Sequence, residues 1–117
     1  MRTIIAGSRD IVDYAVVANA VAACGWVPST VISGAARGVD RLGEEWARRH
    51  AIPIERYPAD WDKYPLRAGH IRNAQMARIA QALVAVWDGV SPGTRNMIAI
   101  AHGYKLQVHV YRTDQHN

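Results

Sequence analysis

The chain has one cysteine, Cys24, so no disulfide can close within it. No Cys/His cluster has the spacing of a metal site. No apolar stretch approaches the ~20 residues that cross a bilayer. The short run in "MRTIIAGSRD" meets a glycine turn too early for a signal peptide. Lysine is scarce: only Lys63 and Lys105 stand among 14 basic side chains, and the rest are arginines. There is no repeat, low-complexity tract or linker. These absences exclude a disulfide scaffold, a zinc module, a membrane span and a repeat array. They leave a reducing cytoplasm as the expected location, with no metal and no cofactor implied.

What is present suits one compact domain covering residues 1–117. Half the residues are hydrophobic and 21% are charged, which excludes a disordered chain. The formal charge of +4 comes from arginine, the better fork for phosphate or carboxylate. The basic residues are spread out, with no basic tail or aromatic-basic repeat, so single-stranded nucleic acid is a possible partner but not a favoured one. Arg48 and Arg49 in "ARRH" read as a solvated helix face.

Strand and helix signals alternate along the whole chain. "TIIA" (3–6), "STVIS" (29–33), "IPIERY" (52–57), "ALVAVW" (82–87) and "LQVHVY" (106–111) read as strands. Helices are predicted from Asp10, as a cap, to Cys24 with Gly25 as its stop, then over 38–50, 70–80 and 94–102 with Gly103 ending the last. Tyr14, Val17, Ala18 and Val21 form the first apolar stripe; Val39, Leu42 and Trp46 form the second. The first, second and fourth strands are continuously apolar, as for strands covered on both faces. The third carries Pro53 and the fifth alternates, so both belong at edges. With right-handed crossovers the expected architecture is a Rossmann-like three-layer α/β/α fold, a five-stranded parallel sheet of order 3-2-1-4-5.

In such a sheet ligands bind beyond the strand C-termini, where the winding reverses between strands one and four. The loops there are "AGSRD" (6–10) and "WDGVSPGT" (87–94), with "SGAARGVD" (33–40) beside them. All are built of small residues that let a ligand approach the main chain. Each leads into a helix N-terminus, where unpaired N–H groups favour an anion. None is a dinucleotide or Walker phosphate-loop motif, and turn chemistry alone explains any single one.

Arg72 in "AGHIRNAQMARIA" falls on the stripe of Met76, Ile79 and Leu83, which must face the core. A buried guanidinium near a helix start needs an anionic partner. Asp40, Asp60, Asp62 and Asp88 are the internal candidates, and a ligand phosphate is the external one. Asp40 complements the dipole of its own helix, or else faces the crevice as a hydroxyl-binding or acid/base group. Asp88, at the end of the central strand, either shapes a turn or does chemistry. Trp61, Tyr64 and Trp87 are candidates to stack a base, though Trp61 is expected instead to seal the edge of the core. The five histidines pair with no nucleophile, and Ser8, Ser33 and Ser91 lie in turns without an acyl-transfer motif.

Together "AGSRD", "SGAARGVDRLGEEWA", "ADWDKYPLRAGHIRNAQM" and "VAVWDGVSPGTRNMIAIA" resemble the YspA-type, YpsA-related branch of the SLOG superfamily. That superfamily groups Smf/DprA proteins with the lonely guy phosphoribohydrolases, and its members are often bacterial or phage-encoded. The resemblance implies a Rossmann-like domain that binds nucleotides or nucleotide-derived signals such as ADP-ribose derivatives. It places Gly7, Ser8 and Arg9 under the ligand, and Gly34, Arg37, Gly38 and Asp40 in the second loop. On the same resemblance Arg72 and Asn73 would stand beside the site and Gly93 and Thr94 would hold phosphate, with Ser91 a further ligand-binding candidate. Lonely guy enzymes carry Pro-Gly-Gly-x-Gly-Thr-x-x-Glu; here "DGVSPGTRN" keeps Gly-Thr, but Asn96 and Met97 follow where the glutamate is expected and no carboxylate stands there. Without that carboxylate, hydrolysis of an N-glycosidic bond would require Asp40 or Asp88.

The expectation is therefore a domain that binds or senses a nucleotide-derived small molecule. The alternatives are a nucleotide N-glycosidic-bond hydrolase and a single-stranded nucleic-acid binder. The all-round apolar "MIAIAHGY" on the fourth helix, with the pairing habit of related SLOG proteins, adds a homodimer as an expected partner.

Overall fold

The computed structural model describes residues 1–115. Strands β1 (Arg2–Gly7), β2 (Thr30–Ser33), β3 (Ile54–Arg56), β4 (Ala82–Trp87) and β5 (Gln107–Arg112) alternate with helices α1 (Tyr14–Ala23), α2 (Val39–Arg49), α3 (Ala68–Ile79) and α4 (Pro92–Gly103). The sheet is all-parallel in the order β3-β2-β1-β4-β5. The central strands are buried on both faces for the reason their sequences suggest. Successive apolar side chains alternate between two cores. Ile5, Val31, Val84 and Val86 join α1 and α2 on one side; Ile4, Ile32, Leu83 and Ala85 join α3 and α4 on the other. Among the described residues no helix is long and apolar enough to cross a membrane.

Register pins the functional end. Ile4 lies opposite Ile32 on β2 and Leu83 on β4, so β1 and β4 finish side by side at Gly7 and Val86. From there β1 feeds α1 on one face and β4 feeds α4 on the other. The two departing loops open a crevice between them.

Four local expectations need correction. Asp10 does not cap α1: Asp13 does, accepting from Ala15 N at 3.0 Å. The intervening residues are held first by Ile11 N donating to Ser8 O, and Ile11 packs on the core beside α1. Ile79 does not face the core; it is 37% exposed at the last turn of α3, where Ala77 and Ala80 pack inward. Gly103 does not stop α4 but completes it, and Lys105 two residues on takes the left-handed conformation (φ 61°). Strand pairing at β3 spans only Ile54–Arg56 of the predicted six residues. On α4, Met97 and Ala101 are buried and Ile98 and Ile100 are partly covered by the second core. Ala99, His102, Gly103 and Tyr104 face outward.

Candidate functional site

A cavity of about 420 Å³ opens at the winding reversal. Of the residues singled out by sequence, Gly7, Ser8, Arg9, Arg37, Asp40, Arg72, Asn73, Ser91, Gly93 and Thr94 line it. Gly34, Gly38 and Asp88 do not.

Three helices point their N-termini towards this cavity, and none is capped by a side chain: α2 begins at Gly38, α3 at Arg67 and α4 at Ser91. In contrast α1, whose start lies outside the lining, carries its own Asp13 cap. Pro92 occupies the first turn of α4, so the amides left without intrahelical partners there belong to Gly93 and Thr94. No acidic residue sits within that first turn; the nearest carboxylate, Asp88, is taken up by Ser91 N and Ser91 Oγ just before it.

The glycines of the loops divide into two kinds. A Cβ on Gly7 would collide with the Val86 carbonyl, and one on Gly34 would lie 2.5 Å from Arg72 Nη1 and 2.7 Å from Asp40 Oδ2. Gly38 has φ 78° and packs on the carbonyls of Ser8 and Arg9. The backbone requires glycine at 7 and 38, whereas Gly34 makes room for the Arg72 and Asp40 side chains. Gly93 is different: a Cβ there would meet nothing within 4 Å, and its backbone is ordinary helix. Open space lies above it.

Arg72 is 9% exposed. Its Nη1 donates to Gly34 O at 2.6 Å and its Nε to Asn73 Oδ1 at 3.0 Å. Those bonds use two of its five N–H groups and reach only neutral oxygens. Among the described residues it forms no ion pair. Of the four aspartates offered as partners, Asp40 alone acts on it appreciably, across Gly34. Burial draws the guanidinium below its ordinary value, Asp40 opposes this, and the nearby Arg9 charge adds to it. Asn73 passes the network on, donating to Asn96 Oδ1 at 3.0 Å and Gly93 O at 3.4 Å. Asn96 of α4 is thus tied to α3 by an amide–amide bond.

The two candidate acids differ sharply. Asp40 is 5% exposed. Burial pushes its carboxyl up to about 6, against the pull of Arg72 and the backbone N–H groups of Ala36 and Gly7. Asp88 shapes the turn before α4: it accepts from Ser91 Oγ at 2.6 Å, Ser91 N at 2.7 Å and Val90 N at 2.9 Å. Those bonds hold it down at about 2. Ser8 helps fix the same turn, its hydroxyl accepting from Asp88 N at 3.2 Å.

Trp61 departs from expectation. It does not seal the core: it is 47% exposed and lines the cavity beside Leu66, which is 93% exposed. Arg9 stands 5.8 Å from its ring centroid. Leu66, Gly69, His70 and Met76 also line the cavity without having been singled out for it. Only the path of the loop before α3 brings Leu66 there, and no local motif records that path. Trp87 sits apart, donating Nε1–H to Ser91 O and flanked by Arg95 and Arg112.

No solved structure matches the chain. Gene 61 protein of Mycobacterium phage D29 is 36% identical over 72 residues, covering 56% of this chain and 58% of that protein's length. The match thus spans less than two thirds of the phage relative. The sequence pattern of the YspA, cpYpsA-related SLOG family matches residues 1–64, which carry β1 to β3, the first two cavity loops and Trp61. The chain belongs to the YspA, cpYpsA-related SLOG family.

Proposed function

We propose that the chain binds a nucleotide or nucleotide-derived ligand in the cavity between β1 and β4. The observation that carries this reading is the meeting of Arg72, buried without an ion-pair partner among the described residues, with the uncapped start of α4. Taking a cation out of water costs several kcal/mol unless an anion accompanies it. The amides of Gly93 and Thr94 and the dipole of α4 attract negative charge at the same place. A cavity of about 420 Å³ is of the size that encloses small ligands. Family membership favours a nucleotide as the source of that anion. Isothermal calorimetry with AMP, ADP-ribose, NAD and cyclic nucleotides tests the reading. It predicts saturable binding of at least one, and folded protein that binds none would refute it.

A second reading, hydrolysis of a nucleotide N-glycosidic bond, draws support from Asp40 alone. A carboxyl that titrates at about 6 beside an anion site is suited to carry a proton near neutral pH. Asp88 is poorly suited, since its oxygens are committed to the turn and it is held near 2. Release of free adenine from AMP, lost in Asp40→Asn, is the expected result if this reading holds. No adenine after prolonged incubation with bound AMP would reject it.

A further inference from the structure

We propose that Trp61 is the platform on which the ligand's base stacks, so that the cavity takes a single base–ribose–phosphate unit with its anion at Arg72. This rests on the nucleotide reading above and specifies which part of the ligand meets which wall.

The placement of the ring supports it. The indole is not packed into the core; it is half-exposed and, with the exposed Leu66, lines the same cavity as Arg72. Gly69, in the first turn of α3, lies close to both ring and charge. A Cβ there would lie 3.5 Å from Trp61 Cη2, 3.8 Å from Trp61 Cζ2 and 3.8 Å from Arg72 Nη2. Indole edge and guanidinium therefore flank the same small gap, no wider than one sugar joins. A ligand whose phosphate reaches Arg72 has its base beside the indole. Any longer side chain at position 69 would fill the gap.

Arg9 adds a second contact. Its guanidinium already lies on the indole, 5.8 Å from the ring centroid, and it lines the same cavity. A base stacking on the indole has to push this guanidinium outward, since no ring fits between the two at that separation; both groups attract π-systems. Stacking of this kind tolerates any base, because every base has a π-face. The site is thus selective for the presence of a base rather than its identity. Ribose 5-phosphate, which has the anion and sugar alone, loses the indole contact.

The experiment measures AMP and ribose 5-phosphate by calorimetry against the parent, Trp61→Ala, Trp61→Phe and Gly69→Leu. Trp61 is exposed, so its variants should fold as the parent does; circular dichroism checks this. Trp61→Ala is expected to weaken AMP roughly tenfold or more and to leave ribose 5-phosphate unchanged. Trp61→Phe should restore most of the loss, and Gly69→Leu should weaken both ligands while keeping ring and guanidinium in place. AMP affinity unchanged in Trp61→Ala, or ribose 5-phosphate binding the parent as tightly as AMP, would overturn the role of Trp61 and leave the nucleotide reading standing. Binding of neither ligand to the folded parent would bring down the single base–ribose–phosphate unit, and the nucleotide reading falls with it only if ADP-ribose, NAD and cyclic nucleotides also fail to bind.

Discussion

The two ends of the sheet hold their arginines differently. At the N-terminal end Arg2 meets Glu55 fork to fork, Nη1 to Oε2 at 2.7 Å and Nη2 to Oε1 at 3.0 Å, and its Nε donates to Ile79 O. Tyr57 and Gln81 complete a network in which every partner is internal. At the C-terminal end Arg72 is more deeply buried yet meets only a carbonyl and an amide oxygen, with Asp40 standing off across Gly34. The first arginine joins β1 to β3. The second leaves most of its hydrogen-bonding capacity beside a cavity, next to a helix start that also lacks a cap. One chain thus shows a guanidinium closed within the protein and, at the other end of the same sheet, one whose remaining N–H groups have no protein partner among the described residues.

That contrast breaks if Arg72 proves as structural as Arg2. Arg72→Ala should weaken AMP about a hundredfold in calorimetry, the scale for losing charge-assisted contacts in a buried site. An affinity within threefold of the parent would equate the two arginines. Gly93→Ala should cost about tenfold in AMP affinity, because the new methyl occupies the open space over the α4 amides. Its melting temperature should be unchanged or slightly higher, since alanine favours helix. Gly7→Ala, by comparison, should lower stability outright through its clash with Val86.

Asp40 sharpens the comparison through pH. Its folded value of about 6 lies above the ordinary 3.8, so the folded chain holds this proton more tightly than the unfolded one. The stability from its neutral form is complete below about pH 4 and is lost as pH rises through about 6. Asp40→Asn, always neutral, should therefore exceed the parent by roughly 1–3 kcal/mol in urea unfolding at pH 8 and match it near pH 4. A gap of the same size at both pH values would contradict this origin. Arg2→Ala should have the smallest effect: a modest fall in melting temperature and no change in AMP affinity.

The strand order was legible because burial on two faces leaves a continuous apolar run in β1, β2 and β4, whereas Pro53 and the alternation of 106–111 mark edges. Arg72 was legible because a charge on an apolar stripe breaks a period. Other features were not, and each has a local cause. Asp10 and Asp13 are equivalent as letters; packing of Ile11 on the core decides that the helix waits for the second. Gly7 and Gly93 are likewise the same letter, yet one is demanded by Val86 and the other has empty space above it. The side of Trp61 that meets water depends on how residues 58–67 cross the end of α3, which no periodicity encodes.

The most direct test of the account is a crystal structure of the protein grown with saturating AMP. The phosphate should lie within hydrogen-bonding distance of the Gly93 and Thr94 amides and of Arg72. AMP seated elsewhere, or a cavity that holds only solvent while Arg72 keeps the same two neutral partners, would contradict it.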